Sequence, residues 1–259
     1  MHSLVIGGTR GLGGVIVRSL SEQGHVLSVI GRRPPTESNE VLANVHYWTL
    51  DLLDRSRVPQ VWDEILSQNG KLSNLVFSQR YRGEGDDWTG EIETTLTVTK
   101  EVIDRCIDDF DETSENSIAV VSSIASRLIA GEQPLSFHVA KAGLNQMVRY
   151  YAVHLGPKGI RVNSVSPCRV IKPENEEFYV KNQQITDIYK RITPLGRMGT
   201  AEDVANVVSF ICSPKAGFIT GQDFVVDGGF SLSLPDTLAR EMESIPDLSN
   251  PYEANRRSA

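Results

Sequence analysis

The stretch that decides the fold lies near the amino terminus and reads Leu4-Val5-Ile6-Gly7-Gly8-Thr9-Arg10-Gly11-Leu12-Gly13. Its apolar start predicts a short buried strand, and Val15, Ile16 and Leu20 continue a helical spacing that predicts a helix after the glycines. Glycine permits a tight turn and a close approach of the backbone to a bound group. A glycine-rich turn in this position is typical of a site for a dinucleotide pyrophosphate. An ordinary strand–helix turn is the alternative.

The rest of the chain repeats this alternation of strands and helices. Apolar runs predict seven strands, at 4–6, 26–30, 45–50, 74–77, 117–121, 160–165 and 224–226. Between them apolar residues recur at helical spacing, for example from Leu144 to Leu155 and from Ile92 to Phe110. Alternation of this kind predicts a single-domain α/β protein, a doubly wound Rossmann-type parallel sheet of about seven strands with helices on both faces.

Two segments depart from this rhythm. Residues 168–197 are polar, and we expect an irregular, mobile loop over a substrate site. Residues 231–259 are rich in proline and charge, and we expect a tail with a short helix at 236–243 and a loose end. The predicted organisation is therefore a dinucleotide-binding domain at 1–230, including the loop, followed by the tail.

Composition excludes several classes of partner. The 259 residues carry a net charge of −7, which disfavours nucleic acids and anionic membranes. Cys106, Cys168 and Cys212 are too few and too scattered for a disulfide framework or a zinc site, so we expect reduced thiols and no metal. No apolar run approaches the roughly 20 residues of a membrane span. A strand follows Met1 almost at once, so we expect no signal peptide and a cytoplasmic location.

Arginines after the second predicted strand indicate which dinucleotide is bound. The strand ends at Arg32 and Arg33, where an NAD site would place an acidic residue and where arginine accommodates a 2′-phosphate. Arg10 is a second candidate for that phosphate. We therefore expect NADP(H) in preference to NAD(H), the alternative being solvated surface charges. Asp51, after the third strand, could accept a hydrogen bond from the adenine amino group or cap a helix.

Motifs farther along the chain resemble the short-chain dehydrogenase/reductase family. Gly7, Gly11 and Gly13 match its Gly-x-x-x-Gly-x-Gly turn, and the more specific matches are Lys158-Gly-Ile-Arg-Val-Asn-Ser-Val-Ser-Pro167, Pro194-Leu-Gly-Arg197 and Ile219-Thr-Gly-Gln222 leading to Val226-Asp-Gly-Gly229. The resemblance implies an oxidoreductase that acts on a small molecule as a homodimer or homotetramer. With the arginines above, the expected cofactor site comprises Gly7, Thr9, Arg10, Gly11, Leu12, Gly13, Arg32, Arg33, Asp51, Leu52, Ser78, Lys141, Pro167 and Val170.

The catalytic positions of that family are only partly matched. Ser123 and Lys141 fill the serine and lysine positions, and in the family the lysine also holds the nicotinamide ribose. Phe137 stands at the tyrosine position of Tyr-x-x-x-Lys, and Thr95 stands at the asparagine position. In the family the tyrosine phenol passes a proton to the substrate as general acid. Phe137 has no ionisable hydrogen, so this relay cannot run through it.

Other departures lie beside the same positions. The family's Asn-Asn-Ala-Gly reads Phe77-Ser-Gln-Arg80, its Pro-Gly reads Pro167-Cys168, and a nearby threonine is Lys172. Substitute groups are His138, which helical geometry turns about 100° from Phe137, and Cys168, either a nucleophile or an inert thiol. Of the nearby phenols, Tyr81 lies on a loop that could reach the cleft, and Tyr151 lies on an apolar helix face.

Three functions remain. The first is an NADP(H)-dependent reductase that takes its proton from water, Ser123 or the substrate itself, which suits an activated C=C bond or an imine. The second is a dinucleotide-binding pseudoenzyme, acting as a sensor or as the silent subunit of a hetero-oligomer. The third is a non-redox dehydratase or cyclase that uses Lys141 and Ser123.

Overall fold

Seven parallel strands form the central sheet, as the sequence predicted. The structure shows their spatial order, which is β3-β2-β1-β4-β5-β6-β9. The structure is a computed structural model that describes residues 1–35, 42–83 and 85–243. The strands of this sheet are β1 His2–Ile6, β2 Val26–Gly31, β3 Val45–Thr49, β4 Asn74–Phe77, β5 Asn116–Val121, β6 Ile160–Pro167 and β9 Asp223–Val226. A second, two-stranded sheet pairs β7 Val170–Ile171 with β8 Gly199–Thr200.

Helices cover both faces of the large sheet. The helices of the described residues are α1 Gly11–Glu22, α2 Val58–Asn69, α3 Asp87–Glu91, α4 Val98–Cys106, α5 Leu135–Leu155, α6 Glu176–Lys181, α7 Gln183–Ile192, α8 Ala201–Ile211 and α9 Pro235–Glu243. Of these, α1, α2, α4, α5 and α8 pack against the sheet. Because successive strand residues point to opposite faces, Leu4 and Ile6 pack against α2, α4 and α5, whereas Val5 packs against α1 and α8. The two apolar cores therefore lie on either side of the sheet.

One long helical segment changes its winding where the sequence placed a catalytic position. Residues Ile92–Thr97 form a π-helical turn between α3 and α4. Such turns are rare in regular helices and often occur at functional sites. Thr95, the residue at the family's asparagine position, lies in this turn.

The segment 168–197 differs from the irregular loop that we expected. It holds β7, α6 and α7. Ile185 and Tyr189 are one helical turn apart in α7 and pack with Tyr179 and Met198 in a small apolar cluster. The polar residues between them hid this spacing, so the expectation of an irregular segment was wrong.

The carboxyl-terminal prediction is confirmed for the part of the chain that the structure describes. Helix α9 Pro235–Glu243 matches the helix predicted at 236–243. The tail's end, predicted to be loose, lies at 244–259, outside the described residues. Among the described helices, none combines the length and the apolar character needed to cross a membrane.

Candidate active site

A cleft of about 1080 Å³ lies at the carboxyl ends of the central strands. Parallel α/β sheets bind ligands at this edge. The predicted residues Gly7, Thr9, Arg10, Gly11, Leu12, Gly13, Arg32, Arg33, Asp51, Leu52, Ser78, Ser123, Phe137, Lys141, Pro167 and Val170 all line it. Thr95 is the exception. It is only 1% exposed and lies beneath the cleft wall, where its hydroxyl donates to Glu91 Oε2 at 2.9 Å.

The glycine turn has the shape that a pyrophosphate requires. Gly7 has φ +78°, a left-handed conformation that favours glycine, and a Cβ on Gly13 would collide with the Gly7 carbonyl oxygen. Arg10, at the N-cap of α1, makes no side-chain capping hydrogen bond. The N–H groups of the first turn of α1 therefore face the cleft with the positive end of the helix dipole behind them. These residues fit the phosphates of a dinucleotide.

A carboxylate already lies at this end of α1. The Glu174 side chain contacts Gly11 so closely that a Cβ at position 11 would collide with Glu174 Oε1. Glu174 belongs to a short 3₁₀ turn, Pro173–Asn175, in the segment after β7, and its side chain is exposed. An anion next to the amino end of a helix is favourable. The contact supports anion binding at this turn, and it places Glu174 where a dinucleotide phosphate would have to pass.

The residues expected to bind the 2′-phosphate lie at the end of strand β2 and in the neighbouring glycine turn. Arg10, Arg32 and Arg33 are exposed and line one cleft. A Cβ on Gly31 would collide with the Thr9 side chain, so β2 packs tightly on the glycine turn. Asp51 Oδ1 accepts the Leu53 N–H at 3.0 Å. Helix α2 begins only at Val58, so Asp51 caps a turn rather than the helix that we considered.

Lys141 is the most deeply buried cation of the cleft. It is 4% exposed, and its Nζ donates to the Val121 carbonyl at 3.1 Å. Burial lowers its pKa to about 8; Glu91 opposes this shift, whereas Arg80 and Lys172 add to it by repulsion. With a pKa of about 8, Lys141 is still mostly protonated at pH 7, but it gives up its proton more readily than an ordinary lysine does.

Phe137 lies in the position that the sequence assigned to it, beside Lys141. Its ring is 7% exposed, and Lys141 Nζ lies 5.7 Å from the ring centroid. Arg80 covers the ring, with its guanidinium carbon 4.7 Å from the centroid. Two cations thus lie within reach of the aromatic π system, an arrangement that stabilises their charges. Sequence reasoning noted Arg80 only as a departure from the family and missed this contact.

Ser123 both caps a turn and lines the cleft. Its Oγ accepts the Ala125 N–H at 3.1 Å, which orients the hydroxyl at the start of the 3₁₀ turn Ile124–Ser126. The neighbouring Ser122 hydroxyl donates to the Lys141 carbonyl at 3.2 Å and ties β5 to α5. The serine and lysine positions of the family therefore meet at one wall.

Three of the groups considered from the sequence, His138, Tyr81 and Tyr151, do not line the cleft. His138 Nε2 accepts the Ala130 N–H and Nδ1 donates to the Pro134 carbonyl, both at 2.9 Å, so its two nitrogens hold the loop before α5. Tyr151 donates to Asp104 Oδ1 at 2.8 Å and lies in the core, as expected. Tyr81 does not line the cleft, and its hydroxyl accepts the Gly85 N–H.

Cys168 lines the cleft as a protonated thiol. Burial raises its pKa to about 11, and Asp227 adds to the shift. The nucleophilic form of cysteine is the thiolate, which this environment disfavours. The inert interpretation of Cys168 is the better one.

Several cleft residues were absent from the predicted set. They come from the loop after β4 and from the segment after β7: Arg80, Arg82, Lys172, Glu174, Tyr179 and Tyr189. Ile185 and Tyr189 are spaced as in a helix, but this single pair is too weak a signal to reveal α7, and nothing in a linear pattern shows which side chains turn into the cleft.

Comparison with known proteins identifies the same architecture. A family model described as Enoyl-(Acyl carrier protein) reductase matches residues 7–231. A tropinone reductase homolog of Arabidopsis thaliana is 26% identical over 90% of this chain and 91% of its own. A 3-oxoacyl-[acyl-carrier-protein] reductase of Aquifex aeolicus is 28% identical over 88% of this chain and 96% of its own.

A solved structure gives the same result. A short-chain type dehydrogenase/reductase from Mycobacterium ulcerans superimposes with a TM-score of 0.76 at 25% identity, covering 89% of this chain and 90% of its own. The likeness therefore extends over nearly the whole of both chains.

Proposed function

The chain belongs to the short-chain dehydrogenase/reductase family, and we propose that it is an NADP(H)-dependent oxidoreductase that acts on a small molecule with a proton donor other than residue 137. One observation carries this proposal. The glycine-lined amino end of α1 shares a single cleft with Ser123 and Lys141. Reductases among the relatives support a redox activity. The proposal therefore combines the residues expected to bind the cofactor phosphates with a proton-transfer position, residue 137, that lacks the tyrosine hydroxyl.

Each part of the cofactor has matching residues in this cleft. The first turn of α1 would bind the pyrophosphate, and Arg10, Arg32 and Arg33 would bind the 2′-phosphate. Lys141 would hold the nicotinamide ribose. When bound, the nicotinamide supplies a hydride. We include NADP(H) over NAD(H) in the proposal because Arg32 and Arg33, rather than an acidic residue, directly follow β2.

The proton must come from a group other than Phe137. Ser123 and water are candidates, and Lys141, whose pKa is lowered to about 8, lines the same cleft as Ser123. Hydride addition to one carbon and proton addition to its partner atom complete the reduction. An activated C=C bond or an imine suits this site, because less negative charge develops on an oxygen that tyrosine would protonate.

A titration tests the cofactor assignment. NADPH and NADH are titrated into the full chain, and binding is followed by nicotinamide fluorescence. We expect NADPH to bind more tightly than NADH. Gly13→Ala should abolish binding because its Cβ would collide with the Gly7 carbonyl, whereas Gly156→Ala, where a Cβ meets no neighbour, should bind normally. Absence of binding by either nucleotide to the natural protein would refute the proposal.

Phe137 favours a second candidate, a dinucleotide-binding protein without catalysis. A panel of enones, imines and ketones distinguishes the two: NADPH oxidation by any of them supports the reductase, and tight NADPH binding without oxidation supports the pseudoenzyme. Loss of water from a hydroxylated substrate without any change in NADPH would indicate the non-redox enzyme.

The proposal extends to location and assembly. Cys106 and Cys212 are buried as free thiols and Cys168 is half-buried, which supports a reducing compartment such as the cytoplasm. We keep a homodimer or homotetramer as the expected assembly, which light scattering of the purified chain measures directly.

A further inference from the structure

The substrate side of the cleft is crowded with cations. Arg80, Arg82, Lys141 and Lys172 all line it, and we refer to these four residues as the cationic wall. They come from the loop after β4, from α5 and from the loop after β7. The whole chain carries a net charge of −7, so this concentration of positive charge runs against the overall composition.

Arg80 is held in a fixed orientation within this wall. Its guanidinium lies over the Phe137 ring and donates through Nη2 to Gln133 Oε1 at 2.6 Å. Gln133 is neutral, so the contact fixes the side chain without cancelling its charge. A stacked guanidinium keeps N–H groups at its edge, in the geometry that binds a carboxylate or phosphate through two hydrogen bonds.

Lys172 faces the same region from the opposite loop. It is half-buried, and its backbone N–H donates to Asn175 Oδ1 at 2.7 Å, which anchors the start of the following turn. Burial lowers the pKa of its ammonium group; Glu174 opposes this shift, whereas Arg82 and Arg80 add to it by repulsion. Positive charges held close together disfavour one another's charged forms, and a bound anion would relieve this repulsion.

Two nearby carboxylates, Glu91 and Glu174, favour the charged forms of Lys141 and Lys172 through their own charge, without an ion pair to the wall among the described residues. Within the described parts of the chain, Arg80, Arg82 and Lys172 form no ion pair. Glu91 is buried and accepts from Thr95, and Glu132 pairs with Arg169. Glu174 contacts Gly11 on the phosphate side. Among the described residues, therefore, Arg80, Arg82 and Lys172 line the cleft without a direct carboxylate partner.

We propose that the cationic wall binds an anionic group of the substrate, a carboxylate or a phosphate, through Arg80 and Lys172 with Arg82 at the rim. This inference rests on the proposed function and names its substrate class, an acidic metabolite. Arg80 holds the anionic group over Phe137, so the reacting bond lies between that anchor and the nicotinamide end of the cleft. The phosphates of the dinucleotide have their own site at Gly7–Gly13 and at Arg10, Arg32 and Arg33.

Matched probes test the inference by binding. The full chain, saturated with NADP⁺, is titrated by calorimetry with acetoacetate and its methyl ester, and with dihydroxyacetone phosphate and dihydroxyacetone. We expect one anionic probe to bind at least about 10-fold more tightly than its neutral partner, and the probe that does so identifies carboxylate or phosphate as the group. Arg80→Gln and Lys172→Gln should each weaken that probe by about 10- to 100-fold.

Controls separate this site from the cofactor site. Both variants should leave NADPH affinity nearly unchanged, and Arg80→Lys, which keeps the charge but loses the planar fork, should give an intermediate loss. Lys190→Gln, on exposed α7, should behave like the natural protein. Equal binding of charged and neutral probes, absence of binding by both anions, or equal loss of NADPH binding in the variants would overturn the inference. Failure of NADPH to bind the natural protein would instead refute the proposed function.

Discussion

The guanidinium of Arg80 lies over the ring of Phe137, 4.7 Å from its centroid, while Lys141 Nζ lies 5.7 Å from the same point. A ring between two cations is an environment in which a phenol would lose its proton easily, because nearby positive charge stabilises the phenolate. The surroundings of a general acid are therefore present at position 137, and the hydroxyl is absent. This relationship gives the first prediction.

Phe137→Tyr should create a ketone reductase. The variant keeps the ring and adds a hydroxyl beside Lys141, and a positioned general acid contributes about 10²- to 10⁴-fold in rate. Initial rates of NADPH oxidation with a panel of ketones measure the gain. Phe210→Tyr, which adds a phenol on the exposed face of α8, is the matched control and should change nothing. Efficient ketone reduction by the natural protein would show that our interpretation of Phe137 is wrong.

Glu174→Gln should tighten NADPH binding. The Glu174 carboxylate contacts Gly11 at the amino end of α1, where it opposes an incoming phosphate. Removing a charge at a helix terminus changes binding by about 2- to 5-fold. Fluorescence titration at low and high salt measures the change, which should shrink as salt screens the repulsion. Glu176→Gln, two residues along and exposed, should have no such effect. Weaker NADPH binding by the Glu174 variant would contradict the prediction.

Replacing both Arg32 and Arg33 by glutamine should remove the preference for NADPH. The two side chains line the cleft after β2, where a 2′-phosphate would lie. Loss of charged hydrogen bonds to that phosphate should weaken NADPH binding by about 10- to 100-fold and leave NADH binding nearly constant. Arg149→Gln on the exposed side of α5 serves as the control. A parallel loss for both nucleotides would mean that these arginines do not read the 2′-phosphate.

Lys141→Met should stabilise the fold at neutral pH. Burial lowers the pKa of Lys141 from 10.5 to about 8, with Glu91 opposing the shift and Arg80 and Lys172 adding to it, so the charged form is costly in the folded state. The unfolded chain binds more protons between these two pKa values, so the cost is complete below pH 8 and disappears as pH rises to 10.5. Relative to the natural protein, we expect a gain of about 1–3 kcal/mol at pH 7.

Chemical denaturation at pH 7 and at pH 10 measures this gain. The difference between the variant and the natural protein should shrink at the higher pH. Lys215→Met, at an exposed position, should show no pH-dependent difference. Lower stability of the Lys141 variant at pH 7 would show that its hydrogen bond to the Val121 carbonyl outweighs the cost of burying the charge.

The fold was predictable because each of its main strands and helices is encoded by residues that are adjacent in the sequence. Each strand of the large sheet is a short apolar run, and each covering helix shows apolar spacing over several turns, as in Leu144 to Leu155. Helix α7, in the segment after β7, was not predicted because it buries only Ile185, with Tyr189 half-buried. A helix that short, with one apolar contact line, gives a pattern too weak to distinguish from a polar loop.

One side of the candidate site could be predicted from the sequence, and the other side could not. The glycine turn and the arginines after β2 lie close together in sequence, so their convergence follows from a strand–turn–helix unit. Arg80 and Lys172 are separated by β5, α5 and β6, and only the folded sheet brings their loops to one edge. Thr95 was predicted to lie in the catalytic site, but it does not line the cleft. It belongs to the π-helical turn, and its hydroxyl donates to Glu91 beneath the cleft wall.

By itself, the sequence determined the parallel sheet, the glycine-rich turn after β1 and the absence of a phenol at position 137, because each depends on residues adjacent along the chain. The tertiary structure alone decided that Arg80 covers Phe137, that Glu174 contacts Gly11 and that the four residues of the cationic wall line one cleft. The physical reason is that these contacts join distant loops, whose meeting depends on strand order and on the packing of both helical layers.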